Sequence, residues 1–213
     1  MKLTRRDTLI LAASASIASS LGLGAASAQE GTTHDVAKLA TTAMTDHVLG
    51  PVDAKVTVIE YASPTCPHCA AFHNDVYPAF KAEYIDTGKV KFILRPLVRT
   101  LQDAVVFLLA EAAGEDKYHQ VVETYFKTQG TWGLAEKPRA ALLDVAKQLG
   151  FTEETFDAAL TNQELFEAMK KVQEQASNEF KLEGTPTFYI NGKQLTGDKT
   201  LEQLKAEIDP LLA

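Results

Sequence analysis

"VTVIEYASPTCPHCAAF", residues 56–72, decides how the rest of the chain is read. Its first seven residues are mostly β-branched, aromatic or apolar, and they predict a buried strand. The strand breaks at Ser63-Pro64-Thr65. Cys66-Pro67-His68-Cys69 follows, and it holds the only two cysteines in 213 residues. Pro67 suits the first position of a helix. A helix is therefore predicted over about 66–86, with Cys69, Phe72, Val76, Phe80 and Tyr84 facing the core at three- and four-residue steps. Pro78 predicts a kink, and Gly88 predicts the helix stop. A second strand is read in 89–97, "KVKFILRPL". Strand, helix and strand make a βαβ unit with a parallel pair.

Three chemistries place two cysteines two residues apart: a structural disulfide, half of a metal site, or a redox centre. Stabilisation by a disulfide grows with the loop it closes, and the Cys66–Cys69 ring closes almost nothing. Structural zinc takes four ligands. His68 and His73 are near, but no second CxxC and no HxxxH exists, so no metal is expected. The redox reading fits the local physics. Cys66 falls where the helix begins, and the unpaired N–H groups and the helix dipole there favour a negative charge. Its pKa is expected to be lowered, which makes it the nucleophile. His68, between the cysteines, would stabilise the thiolate further. Cys69, one turn in, is expected to be buried with a raised pKa and to act as the resolving thiol. Stabilising the reduced form makes such a pair a stronger oxidant.

Working outward, residues 101–181 show no convincing strand. Apolar sets recur at helical spacing: Leu101, Val105, Leu108 and Ala112; Val121, Val122, Tyr125 and Phe126; Leu142, Val145, Ala146 and Leu149; Leu165, Met169, Val172 and Ala176. These stripes are read as core faces, and Thr161 with Glu164 as a capping box for the last helix. Strand character returns in "TPTFYI" and "KQLTG", which flank the hairpin signal Asn191-Gly192. Thr200 with Gln203 caps a final helix. Residues 29–50 carry either a short helix or a loosely held arm.

The pattern as a whole resembles the DsbA-like periplasmic thiol–disulfide oxidoreductases of the thioredoxin superfamily. The resemblance rests on CPHC after a strand, on the "GTPTFYIN" stretch, and on the order of elements over 48–211. It implies an α/β thioredoxin fold in which 51–100 and 182–213 form one domain and 101–181 a large all-helical insertion between the βαβ and ββα halves. It implies that Glu60, six residues before Cys66, is the family's buried acid and assists proton transfer at Cys69. It implies that Thr185 and Pro186 form a cis-proline loop beside the disulfide, where a substrate peptide can pair as an added strand. No bound cofactor is implied. The partners implied are reduced, unfolded exported proteins and a quinone-linked membrane re-oxidant of the DsbB kind. The sequence departs from the best-known strong oxidants at Thr185, where they carry Val. Thr at this position is similar to isomerase-type relatives and to some other oxidases.

Residues 1–28 read as a secretory signal, with Lys2, Arg5 and Arg6 ahead of an apolar run and small residues before a cleavage point after Ala28. "TRRDTLI" partly resembles a twin-arginine export signal, though Thr8 stands where Phe is usual. The mature protein is expected in the periplasm. Without residues 1–28 the chain holds 18 Lys+Arg and 27 Asp+Glu, a net charge of −9. That balance argues against nucleic acid as a partner. Two other function classes stay open. One is an isomerase or reductase kept reduced by a partner. The other is a periplasmic chaperone or binding protein whose helical block holds a client. Trp132, the only tryptophan, is expected to report the redox state if the helical block packs near the cysteines.

Overall fold

The computed structural model describes residues 30–213, so the signal-peptide reading of residues 1–28 lies outside the described residues. The sheet has five strands in the order β1-β3-β2-β4-β5. These are β1 (Val48–Leu49), β2 (Val56–Ala62), β3 (Val90–Pro96), β4 (Thr187–Ile190) and β5 (Lys193–Thr196). β2 and β3 run parallel, with Glu60 opposite Leu94, as a βαβ crossover requires. β4 pairs antiparallel to β2, and β5 to β4. The β4–β5 turn has positive φ at both Asn191 and Gly192, the backbone twist that suits a two-residue hairpin. A Cβ at Gly192 would lie 2.6 Å from the His34 carbonyl oxygen, so only glycine fits there.

The period of two along β2 divides its side chains between two cores. Val56, Val58 and Ala62 point into the larger one, with Cys66, Cys69, Phe72 and Phe126. Glu60 falls on that same face by parity. Ile59 and Tyr61 point the other way, to Leu39, Val172, Ala176 and Phe180.

The redox helix departs from the predicted register. It runs as α2 (Pro67–Ala71), a π-turn at Phe72–Val76, α3 (Tyr77–Phe80) and a second π-turn at Lys81–Ile85. Pro78 is the cause. It has no N–H, and its ring crowds the carbonyl four residues back, so the α ladder opens ahead of it. The Tyr77 N–H reaches back five residues to the Phe72 carbonyl. The extra residue moves the core position from Val76 to Tyr77, which is 3% exposed, and carries His73 inward to 6%.

Between β3 and β4 lie α4 (Leu101–Ala112), a 3₁₀ turn at Glu115–Lys117, α5 (Tyr118–Lys127), α6 (Gln129–Trp132), α7 (Pro138–Gln148), α8 (Glu153–Leu160) and α9 (Gln163–Glu179). Two expectations are corrected here. The predicted α4 stripe fails: Leu101 and Ala112 are exposed, whereas Ala104, Val106, Phe107, Leu108, Leu109 and Ala110 are all buried. α4 packs against α5, α7, α8 and α9. A helix enclosed on several sides needs no single stripe. The capping box of Thr161 and Glu164 does not form either. Asn162 caps α9, its side chain accepting from the Leu165 N–H. The Thr200–Gln203 box forms as expected on α10 (Leu201–Leu212).

Residues 30–50 are not loosely held. They carry α1 (Val36–Leu39), and their backbone bonds both sheet edges. Residues 31–34 pair with β5 through Gly31, Thr32 and His34, and β1 pairs antiparallel with β3. Asp46 binds the buried Arg95 guanidinium by two bonds of 2.8 and 2.7 Å. Residues 31–34 thus lie along the outer edge of β5, and the edge strand β1 is only two residues long.

Candidate active site

Cys66 is the N-cap of α2, with extended backbone (φ −77°, ψ 121°), and Pro67 occupies the first helical turn without a missing donor. Both thiols are free in this structure and both are buried. The Cys66 Sγ donates to the Thr185 carbonyl at 3.3 Å, so the Thr185-Pro186 loop, whose peptide bond is cis, closes directly over the nucleophile.

The two thiols sit in opposite electrostatic environments. Cys66 is pushed down to about 5. The Cys69 thiol does most of this by donating to the Cys66 sulfur. Burial opposes it, and the Thr185 hydroxyl and the backbone N–H groups of Cys69 and His68 add to the lowering. Cys69 is pushed well up, first by burial, then by its role as donor to Cys66, then by the charge of Glu60. One sulfur is ready to carry charge and the other is held as a thiol.

His68 is placed differently from the expectation. Its imidazole Nδ1 lies 2.7 Å from an Asp198 carboxylate oxygen, and both side chains are well exposed. A carboxylate is a stronger partner for the ring than a thiol. What His68 presents to the sulfur is its backbone N–H. Thr185 supplies a second donor. Its hydroxyl is buried with no hydrogen-bond partner, yet it acts on the Cys66 thiolate, so it gains a partner when that thiolate forms. Thr185→Val is expected to raise the Cys66 titration midpoint by about one unit, the worth of one hydrogen bond to a charged group. Thiolate absorbance against pH reads it. An unmoved midpoint would show that the hydroxyl does not serve the sulfur.

Glu60 is fully buried in the middle of β2, and its Oε2 is 2.9 Å from His73 Nε2. Sequence reasoning treated His73 only as a metal ligand too few in company. The i+4 spacing from Cys69 and the parity of Glu60 were the signals that could have joined them. Among the described residues no group of three or more His, Cys, Asp or Glu side chains is placed to hold a metal ion.

Two further residues escaped the sequence reading. Asp103, fully buried at the start of α4, accepts from the Ser63 hydroxyl, from the Thr65 N–H and hydroxyl, and from the Arg99 and Thr100 N–H groups, at 2.7 to 3.1 Å. Gln129 of α6 donates to the carbonyls of Pro64 and Cys66 at 2.7 and 3.0 Å. The helical block therefore grips the three-residue loop that delivers Cys66. Trp132 lies in the same short helix as Gln129, fully buried, its N–H bonded to the Tyr125 carbonyl. Beside Cys66 an open groove is lined by Pro67, His68, Leu97, Arg99, Leu182 and Thr185, among others.

Comparison with known proteins bears on this geometry. Residues 42–210 match the family model described as Thioredoxin. The chain is 33% identical over 178 residues to a Rickettsia bellii protein named as a protein-disulfide oxidoreductase, covering 77% of this chain and 68% of that one. It is 28% identical over 170 residues to disulfide bond formation protein D of Bacillus subtilis, covering 76% and 75%. Across five Rickettsia relatives the matched region spans 60% to 68% of their length. A crystal structure of a Wolbachia pipientis alpha-DsbA1 variant superposes with a TM-score of 0.77 at 26% identity, over 82% of this chain and 94% of that one. Oxidised BdbD from Bacillus subtilis gives 0.71 at 23% identity, over 86% and 98%, a likeness of fold.

Proposed function

The chain belongs to the DsbA-like thiol–disulfide oxidoreductases of the thioredoxin superfamily, and from that membership we propose that it is a dithiol oxidase that introduces disulfides into exported proteins. The observation that carries this is the split between the two sulfurs, Cys66 lowered to about 5 and Cys69 raised. A thiolate that is stable at neutral pH is a good leaving group, and it favours the reduced enzyme over the disulfide.

The reaction runs in two displacements. A substrate thiolate attacks Cys66 in the Cys66–Cys69 disulfide. The bond to Cys69 breaks, its electron pair stays on the Cys69 sulfur, and a mixed disulfide forms between substrate and Cys66. A second substrate thiolate then attacks the substrate sulfur. Cys66 leaves as a thiolate, and the substrate carries the new disulfide. Two electrons have moved to the enzyme, and a membrane re-oxidant of the quinone-linked DsbB kind removes them. The groove beside Cys66 seats the unfolded client, with the Thr185-Pro186 backbone as its pairing edge. The periplasm is the compartment where this chemistry has substrates. Pro67 holds the helix start, and Glu60 assists the proton at Cys69.

A second reading, an isomerase or reductase kept reduced by a partner, comes from the resemblance of Thr185 to isomerase-type relatives, although its hydroxyl helps to lower the Cys66 thiol. One experiment separates the readings. The oxidised protein is mixed with a reduced two-cysteine peptide, and its potential is titrated against glutathione. The oxidase reading expects rapid peptide oxidation, loss of it in Cys66→Ala, and a potential far above that of thioredoxin, about −270 mV. A potential near thioredoxin's would overturn the oxidase reading. Full function in Cys66→Ala would favour a chaperone or binding protein.

A further inference from the structure

Glu60 and His73 are the two most deeply buried ionisable side chains beneath Cys69, at 0% and 2% side-chain exposure. Their 2.9 Å contact requires a proton between Nε2 and Oε2. The remaining polar atoms, Glu60 Oε1 and His73 Nδ1, are buried without hydrogen-bond partners. A buried pair with unused capacity on both members is costly to fold around, and that cost points to a role beyond packing.

The imidazole cannot swing to solvent. It stacks on Phe126 at 4.2 Å, nearly parallel, and meets the Tyr77 ring at 4.7 Å. The π-turn ahead of Pro78 is what brings it inward, so the backbone is committed to burying it. The other ionisable groups that face the pair are Cys69 on α2, Tyr77 on α3, and His119 and Glu123 on α5. Lys81 reaches the same region through its charge on Glu123 and His119.

We propose that Glu60 and His73 form a proton-storing dyad for Cys69, with His73 a positioning residue that acts through the Glu60 carboxyl. The pair exists in two states one proton apart. In the neutral state it holds a proton on each group, or both on the imidazole. In the anionic state a neutral imidazole donates Nε2–H to the carboxylate. When a substrate thiolate breaks the Cys66–Cys69 bond, the leaving Cys69 sulfur takes one proton from the dyad, which passes from neutral to anionic. When the enzyme is re-oxidised, Cys69 returns that proton. Glu60 Oε1, which His73 leaves unused, is the oxygen available for the transfer. A permanently charged partner such as lysine would hold the acid in one state. An imidazole can donate or accept at each ring nitrogen, so it can stand beside the acid in both states. The inference rests on the oxidase reading and goes beyond it by assigning His73.

The test is single-turnover oxidation of a reduced peptide by the pre-oxidised protein, followed from about pH 5 to pH 9. The variants are His73→Gln, His73→Leu, Glu60→Gln and the Glu60→Gln/His73→Gln pair, each with its thermal midpoint measured. His73→Gln keeps a donor for Glu60 but cannot carry the proton. It is expected to slow the bond-breaking step about tenfold or more at neutral pH and to flatten the pH profile. The double variant is expected to be no slower than Glu60→Gln alone, because His73 works through the acid. A His73→Gln protein with the wild-type rate and profile would overturn the dyad, since hydrogen bonding alone would then suffice. Should His73→Leu fail to fold, His73→Gln decides. Wild-type protein that does not oxidise the peptide at all defeats the oxidase reading instead, so the two failures are distinguishable.

Discussion

The stability of the reduced protein relative to the oxidised protein is expected to fall steadily as pH drops from about 9 to about 5. The folded state lowers the Cys66 thiol from its ordinary value near 9 to about 5. A depressed folded pKa gives stability that is fully present above the unfolded value and is lost as pH falls through the folded one. At pH 7 about half the interval is in play, worth about 3 kcal/mol at 1.36 kcal/mol per unit. Cys69 does not blur this. Its thiol is raised in the folded state, so below about pH 9 it stays protonated whether folded or unfolded and contributes no slope. The oxidised protein has neither thiol, and its disulfide contributes no titration. The same free energy makes the couple about 60 mV more oxidising at pH 7 than an unstructured dithiol. Urea denaturation of the two redox forms at a series of pH values reads the difference directly. A reduced-minus-oxidised stability that stays constant from about pH 5 to pH 8 would show that Cys66 does not hold its charge in the folded protein.

What the sequence made legible, and what it did not, divides along physical lines. β2, β3 and the Asn191-Gly192 hairpin follow from local alternation and turn chemistry, and they stand where those signals put them. The nucleophile's place at a helix start follows from Pro67 alone. The register beyond it does not. Pro78 announces a disturbance, but whether the ladder kinks or takes up an extra residue depends on what packs below. Here the extra residue places Tyr77 and His73 in the core instead of Val76. His68 shows the limit of adjacency in sequence. Flanking the cysteines in sequence suggested a partner for the sulfur, but a side chain chooses the best partner within reach. That partner is Asp198, on the far side of the helical block in sequence. Long-range polar pairs such as Arg95–Asp46 leave no periodic trace. Each residue reads as an ordinary charge until the fold brings its partner to it.

Replacing Asp103 by Asn is expected to lower stability by about 3 kcal/mol and to raise the Cys66 titration midpoint in the same protein. The carboxylate is fully buried and faces only donors: hydroxyls of Ser63 and Thr65, and N–H groups of Thr65, Arg99 and Thr100. An asparagine presents an NH₂ to part of that ring. Donors then meet a donor, and at least one buried N–H or hydroxyl is stranded at about 1–3 kcal/mol. The cost falls on the loop 63–65, and through it on the geometry that sets N–H groups of α2 against the Cys66 sulfur. Gln129 grips the same loop from α6 through the Pro64 and Cys66 carbonyls. Asp103 and Gln129 therefore share a target, and the double variant Asp103→Asn/Gln129→Ala should depart from additivity by more than about 0.5 kcal/mol. Stability comes from urea midpoints and the titration from thiolate absorbance, in single and double variants alike. If Asp103→Asn unfolds more readily while Cys66 titrates as in the wild type, the latch holds the helical block to the sheet and has no hand in the redox chemistry. If both move together, the insertion is a working part of the active site, because it fixes where the nucleophile's sulfur meets the helix that charges it.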